Sequence, residues 1–261
     1  DTVQIALSYL KKGISVMPVW SPAMVKRRQP TTFAKRLAEA KAKNAASNNP
    51  VPEQDFVRKA LINQCKAPVL YAWKEYQERL PTEEEVTQWF TDDPDANIGI
   101  ITGNVSNLVV FDLDSEDASQ YAEEQGGFPL TVMAKTGKGH HAYMRHPGFV
   151  IKNSVNKKLD IDIRADGGYV VAPPSLHGSG FSYQWVEGQS IYQLDPAECM
   201  PWMIDYLQSL ASAHEEKKTP VRKELQKKTM PPPKKASEKT EYSQLLSEGC
   251  SEGERNQKTT Q

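Results

Sequence analysis

Two aspartates stand at the end of a short apolar run, and their spacing has chemical consequences. Residues 108–111 are typical of a buried strand, and Asp112 and Asp114 follow with Leu113 between them. In a strand, side chains at i and i+2 leave by the same face about 6.5 Å apart. Two like charges repel by about 4 kcal/mol at 4 Å and an effective dielectric of about 20. The pair is expected to be solvated, to share a proton or to bind Mg²⁺ or Mn²⁺.

Carboxylates alternate with apolar residues a second time, over residues 160–164. In a strand, Asp160 and Asp162 share one face with Arg164. That face could complete a metal site and place a fixed positive charge beside it.

A basic loop rich in glycine lies between these two acidic stretches. Its glycines let backbone N–H groups approach an anion, and its lysines and histidines can neutralise one, so the loop suits a triphosphate. An ordinary hairpin loop is an open alternative, because the spacing does not match a Walker A motif. The candidate nucleotide-binding residues here are Thr136, Gly137, Lys138, Gly139, His140 and His141.

Composition limits the class of protein. The chain has 261 residues, of which 38% are hydrophobic, enough for one sizeable core with polar extensions. No apolar run approaches the roughly 20 residues that span a bilayer, and no signal-peptide pattern opens the sequence. Three cysteines far apart predict neither a disulfide framework nor a zinc site. We therefore expect a cytoplasmic protein without a membrane segment.

Charge is distributed unevenly although the net charge is only −1. Residues 26–66 carry ten Lys or Arg against three Asp or Glu, and residues 215–239 carry nine against four. These segments therefore have net charges of +7 and +5, which leaves −13 for the remainder. Basic segments on an acidic body indicate a polyanionic partner, although each segment taken alone is also compatible with a merely solvated surface.

The N-terminal part alternates predicted helices and strands. Asp1 is expected to cap a helix that Gly13 ends, and a strand follows over residues 14–19. We interpret residues 26–64 as a basic surface insertion with a helix over 32–43. An aromatic cluster of Tyr71, Trp73 and Tyr76 is typical of core packing, and a capping box from Thr82 to Glu85 starts the next helix.

The middle of the chain is rich in predicted strands. Residues 97–103 are expected to form a hairpin with the strand that ends in Asp112 and Asp114. The later predicted elements are strands near 130–134, 141–144, 160–164, 169–172 and 181–185, then a helix opened by Asp195 and Pro196.

Three motifs in order resemble the bifunctional primase-polymerase domain of the archaeo-eukaryotic primase superfamily. They are residues 97–103 leading to Asp112-Leu113-Asp114, residues 136–143, and residues 162–175. The resemblance implies that Asp112, Asp114 and Asp162 bind Mg²⁺ or Mn²⁺. It also implies that His141 contacts the incoming triphosphate, with Arg164 as a further candidate.

The resemblance implies an α+β fold with a mixed-sheet catalytic half packed on an N-terminal α/β half, spanning residues 1–211. It implies primer synthesis and extension on single-stranded DNA from ribo- or deoxyribonucleoside triphosphates. Residues 212–240 are predicted to be a flexible Lys/Pro-rich linker. Residues 241–261 resemble the start of a primase C-terminal helical domain that often precedes a helicase, so a helicase domain or partner is expected.

The chain departs from the family at several points. Gly139 stands where many relatives have Ser, the cysteines cannot build a zinc-binding stem, and residues 26–64 are longer than expected. Two other functions stay open. A haloacid-dehalogenase-like phosphatase also has Asp-x-Asp after a strand, although Glu116 departs from that motif. The remaining alternative is a non-catalytic module that binds single-stranded nucleic acid.

Overall fold

Six helices and eight strands are bounded within the described part of the chain. A computed structural model describes residues 1–52, 61 and 64–216. The helices are α1 (Thr2–Lys11), α2 (Pro22–Arg28), α3 (Pro30–Ala45), α4 (Glu83–Asp92), α5 (Glu116–Glu124) and α6 (Pro201–Glu216). The strands are β1 (Val16–Val19), β2 (Asn97–Ile101), β3 (Leu108–Leu113), β4 (Val132–Lys135), β5 (His140–Arg145), β6 (Ile161–Arg164), β7 (Tyr169–Ala172) and β8 (Gln184–Trp185).

Local capping explains where two of the helices begin. The Asp1 carboxylate accepts the Val3 N–H at 3.0 Å at the start of α1. At the start of α4, Thr82 accepts the Glu85 N–H at 3.2 Å while Glu85 accepts the Thr82 N–H at 2.8 Å. Each bond satisfies a backbone donor that has no partner within its helix, so both predicted starts are confirmed.

The strands form two sheets in which every neighbouring pair is antiparallel. The smaller sheet has the order β1-β2-β7, and the larger has the order β6-β3-β5-β4-β8. The predicted α+β class is confirmed. The predicted mixed sheet is wrong, because no two named strands of the described residues pair in parallel. Strand β7 comes from late in the chain, yet it belongs to the smaller sheet with β1 and β2.

The predicted hairpin between residues 97–103 and 108–114 is wrong as well. Strand β2 pairs with β1 and β7, whereas β3 pairs with β5 and β6. The two runs meet only at a bridge between Gly103 and Leu108, where a 3₁₀ turn at Asn104–Ser106 carries the chain between the sheets. An apolar run predicts a strand but does not identify its partner.

The core has two principal layers, one on each face of the larger sheet. Val110 and Tyr143 lie on its inner face, which packs against the smaller sheet, α1 and α4. Phe111 and Ile163 lie on the outer face, which packs against α5 and α6. Alternation along β3 therefore directs Asp112 to the same side as Val110, between the two sheets.

Several predicted boundaries differ from those observed. The C-terminal helix begins at Pro201 rather than near Asp195, because Ala197 is already bonded to the larger sheet: its carbonyl accepts the Arg145 N–H at 2.8 Å. Only Gln184–Trp185 of the strand predicted over 181–185 is a strand. The helix predicted over 32–43 extends over Pro30–Ala45.

The basic segment 26–64 is tied to the body of the protein at its start. Arg27 contacts Asp93 and Asp95 at 3.1 and 2.5 Å, and Arg28 contacts Asp93 at 2.7 Å. Two of its positive charges are therefore neutralised within the chain.

The tail predictions fall largely beyond the described residues. Helix α6 continues to Glu216, past the predicted boundary at 211. The rest of the predicted linker, to residue 240, and all of residues 241–261 lie outside the described residues. Within the described ranges, none of the helices has the length and apolar character that a membrane crossing requires.

Candidate active site

The register of three neighbouring strands brings the predicted acids together. Strand β3 lies between β5 and β6, so Asp112 is directly opposite His141 on one side and Asp162 on the other. Residues directly opposite on antiparallel strands have Cβ atoms about 4.5–5.5 Å apart. Three ionisable side chains therefore cross the inner face of the larger sheet in one row.

Asp112, Asp114 and Asp162 form a compact carboxylate cluster. One oxygen of each lies within 4.8 Å of an oxygen of the other two, and all three side chains are half-buried. Asp160 lies outside this cluster. It precedes β6 with a left-handed φ of 50°, and its carbonyl accepts the Asp114 N–H at 3.0 Å. The expected sharing of a face by Asp160 and Asp162 fails because Asp160 is not in the strand.

The three carboxyl groups differ in their affinity for protons. Burial raises the pKa of Asp112, but the neighbouring His141, Arg164 and Lys66 lower it by more, so it ends below its ordinary value. Burial and then the charge of Asp112 raise the pKa of Asp114. Burial also raises the pKa of Asp162, which Arg164 opposes and Asp112 reinforces. Asp114 and Asp162 therefore take up a proton more readily than ordinary aspartates, whereas Asp112 takes one up less readily.

The cluster fits a hard divalent cation. Its donors are carboxylate oxygens, which Mg²⁺ and Mn²⁺ prefer, and they come from adjacent strands that fix their spacing. A bound cation would also favour the charged forms of Asp114 and Asp162, whose pKa is raised by burial and, to a smaller extent, by the charge of Asp112. These three residues would therefore hold the metal.

Asp162 is oriented by two further contacts. Its Oδ2 accepts a hydrogen bond from the Arg164 guanidinium at 2.7 Å, and its Oδ1 accepts the Asn156 N–H at 3.3 Å. The predicted positive charge beside the acids is therefore present, and it is engaged with one of them.

His141 is buried beside Asp112. Its Nε2 lies 3.3 Å from Oδ1 of Asp112, at the long end for a hydrogen bond. Its Nδ1 is buried without a hydrogen-bond partner among the described residues. Nε2 is therefore the nitrogen that faces the carboxylates.

The predicted basic loop is a tight turn between β4 and β5. His140 and His141 belong to β5, which leaves residues 136–139 between the strands. The Thr136 hydroxyl accepts the N–H groups of Lys138 and Gly139 at 3.2 and 3.0 Å. Alternation along β5 sends His140 to the face opposite His141, so the structure does not bring His140 to the acids.

Gly139 is required by a close approach of two backbones. A Cβ at this position would lie 1.9 Å from the Leu113 carbonyl oxygen. A serine here would collide with the strand that bears the acids. This contact gives a physical reason for the glycine in this chain.

A cleft of about 320 Å³ adjoins Asp112 and His141. Its size is at the lower end of the range for small-molecule sites. Several of its residues were not predicted as site residues, namely Lys66, Trp73, Asn153, Tyr169 and Tyr183. Their positions are set by loops and by the smaller sheet, and no spacing in the sequence links them to the acids.

The larger sheet with its carboxylate cluster defines an α+β protein with a candidate divalent-metal centre. The model of a protein family described as bifunctional DNA primase/polymerase, N-terminal, matches residues 6–202. Because this match spans most of the chain, the protein belongs to the primase-polymerase (Prim-Pol) family. A search of curated proteins found no match.

Proposed function

We propose that this protein is a DNA-dependent primase and DNA polymerase, which makes primers on single-stranded DNA and extends them. The observation that carries the proposal is the carboxylate cluster of Asp112, Asp114 and Asp162, positioned by the adjacent strands β3 and β6 within a Prim-Pol chain. Nucleotidyl transfer requires stabilisation of the attacking and leaving oxygens, and a carboxylate cluster that holds cations serves both.

The proposed roles follow from the contacts. Asp112, Asp114 and Asp162 would hold one or two Mg²⁺ or Mn²⁺ ions, which when bound supply Lewis acidity toward the primer hydroxyl and the phosphates. Arg164 keeps Asp162 in position through their 2.7 Å hydrogen bond. His141 and Lys138 would bind the triphosphate of an incoming ribo- or deoxyribonucleotide, because they flank the acids from β5 and from its preceding turn.

The test is nucleotide incorporation on a single-stranded template, with and without an annealed primer, in Mg²⁺ and in Mn²⁺. Asp112→Asn and Asp114→Asn should each lower incorporation about 1000-fold or more while leaving the thermal unfolding temperature unchanged or higher, because crowded charges are removed. Near wild-type incorporation by either variant would exclude the metal assignment.

The same experiment separates the alternatives. Release of inorganic phosphate without incorporation would favour a phosphatase. Tight binding of single strands without either reaction would favour a non-catalytic module. Neither outcome is compatible with the proposed polymerase.

A further inference from the structure

A second histidine lies beside the turn between β4 and β5. His177 belongs to the loop that follows β7, and only 7% of its surface is exposed. Its N–H donates to the Phe181 carbonyl at 2.7 Å, and its carbonyl accepts the Gly180 N–H at 2.9 Å. The backbone around His177 is thus fixed by its own loop.

The imidazole of His177 packs directly against the turn. A Cβ at Gly137 would lie 3.1 Å from Nδ1 of His177 and 3.5 Å from the Ser179 hydroxyl. The absence of a side chain at residue 137 therefore lets the two loops approach each other. Gly137 therefore matters for the close packing of the two loops as well as for the backbone conformation of the turn.

Hydrogen bonds define the tautomer of His177. Nδ1 accepts the Ser179 N–H at 3.2 Å and lies 2.8 Å from the Ser179 hydroxyl. Because a nitrogen that accepts from a backbone N–H carries no proton, the proton of the neutral ring is on Nε2. Among the described residues, the imidazole forms its hydrogen bonds with Ser179 through Nδ1, and none involves Nε2. His177 therefore presents an unused N–H donor.

Two lysine charges act on this imidazole. Burial, and then the charges of Lys66 and Lys138, lower the pKa of His177, which favours the neutral ring. The ring also makes an edge contact with Tyr183, at 6.0 Å between centroids, and Tyr183 lies 5.9 Å from His141. The imidazole thus lies beside the turn and next to Tyr183, which lines the cleft.

We propose that His177 is a phosphate-binding residue that donates its Nε2–H to the polyphosphate of the incoming nucleotide, together with Lys66 and Lys138. A fixed N–H donor on which two lysine charges act fits a multiply charged anion, since hydrogen bonds to charged groups are about twice as strong as neutral ones. Binding of a metal ion at the same place is disfavoured by the two lysine charges and by the engagement of Nδ1. This assignment rests on the proposed nucleotide substrate.

The test compares His177→Ala and His177→Gln with wild type. The readouts are the KM for the nucleotide, inhibition by inorganic tripolyphosphate, and the Kd for primed template. Loss of a hydrogen bond to a charged group corresponds to roughly tenfold or more, so the alanine variant should raise both the KM and the inhibition constant by about that factor. The glutamine variant, which retains an N–H donor, should lose less. Template affinity should not change.

Tyr192→Phe is the matched control, because it removes only an exposed hydroxyl that contacts Ser8 at 2.8 Å. It should match wild type in all three readouts. An alanine variant with an unchanged KM and an unchanged inhibition constant would overturn the proposal. So would an equal loss of template affinity, which would indicate a general disturbance of the cleft.

Direct calorimetry of tripolyphosphate with the intact protein separates this inference from the proposed function. If wild type incorporates nucleotides but His177→Ala binds tripolyphosphate normally, the role of His177 is wrong and the polymerase stands. If wild type incorporates nothing yet tripolyphosphate binding depends on His177, the phosphate site stands and the polymerase is wrong. Should the alanine variant fail to fold, His177→Leu takes its place, because leucine fills more of the space of the imidazole and has no N–H donor. A normal KM and a normal inhibition constant in that variant would contradict the proposal.

Discussion

The two sides of the cleft are built in different ways. One side, the strand wall, consists of Asp112, His141 and Arg164 on the paired strands β3, β5 and β6, together with Asp114 and Asp162, which cluster with Asp112. The other side, the loop wall, consists of Lys66, Trp73 and Tyr183, which come from 3₁₀ turns and a connecting segment, with His177 packed next to Tyr183.

Different interactions hold the two walls in place. A ladder of backbone hydrogen bonds fixes the strand wall, so a change of register by one residue would turn every acid to the opposite face. The loop wall depends on a few separate contacts. The Tyr169 hydroxyl donates to the Lys66 carbonyl at 2.8 Å, and the rings of Trp73 and Tyr169 meet edge to face at 5.1 Å.

This difference in construction indicates that the two walls have different functions. The strand wall sets the spacing of charges that the chemistry requires, and it tolerates little change. The loop wall can change residue by residue without disturbing the sheet, and loops commonly carry such variation. We therefore expect substitutions in the strand wall to abolish turnover and substitutions in the loop wall to alter substrate affinity.

The largest difference in activity is expected between substitutions of two aspartates that are only two residues apart in the sequence. Asp162→Asn should lower incorporation about 1000-fold or more, because it removes one of the three clustered carboxylates. Asp160→Asn should stay within about twofold of wild type, because Asp160 lies outside the cluster and asparagine tolerates its left-handed φ of 50°. The measurement is single-turnover extension of a primed template.

The two variants control for one another, since both replace a carboxylate by an amide on the same edge of the sheet. Equal losses in Asp160→Asn and Asp162→Asn would mean that total charge, rather than the cluster, governs activity. A fully active Asp162→Asn variant would mean that β6 supplies no carboxylate that activity requires.

Alternation of residue types made much of the strand wall predictable. The pattern around Asp112 and Asp114 follows directly from a period of two, and the motif resemblance favoured Asp162 over Asp160. The pairing of β3 with β5 and β6 was not predictable from these patterns, because the partners are remote in sequence and the nearest strand, β2, joins the other sheet.

The loop wall gave little signal in the sequence. Lys66 follows a basic segment in which no periodicity singles it out, and Trp73 was assigned to core packing with its neighbours. In the structure Tyr76 is buried, Trp73 is half-buried in the cleft, and Tyr71 is fully exposed. Tertiary contacts decide which aromatic residue lines the site, and one composition rule cannot separate the three.

A smaller effect is expected at the join between the turn and the strand wall. Gly139→Ser should lower extension about 10- to 100-fold, because its Cβ would lie 1.9 Å from the Leu113 carbonyl and force the turn away from β3. The variant should also unfold more easily, by about 1–3 kcal/mol. Extension rates and urea unfolding measure the two effects.

Gly137→Ala provides the graded comparison for this prediction. Its Cβ would lie 3.1 Å from a side-chain nitrogen of His177, which can adjust more readily than a backbone carbonyl. Its unfolding free energy should therefore fall by less than that of Gly139→Ser. If Gly137→Ala lowers the unfolding free energy by more than Gly139→Ser does, the contact between the turn and His177 is more rigid than the contact between the turn and β3.

The smallest expected effect tests the loop wall through a single charge. Lys66 is exposed, lines the cleft, and is one of the charges that act on Asp112 and Asp114. Lys66→Ala should raise the KM for the nucleotide about three- to fivefold with little change in kcat, because an exposed charge contributes modestly to binding an anion.

Lys74→Ala is the matched control. It removes an equal charge from the next 3₁₀ turn but not from the cleft, so it should match wild type. The difference between the two variants should shrink between about 50 and 500 mM salt, because screening weakens exposed charges over this range. A loss of kcat without a change of KM in Lys66→Ala would assign this lysine to the chemical step, and the division of work between the two walls would then be wrong.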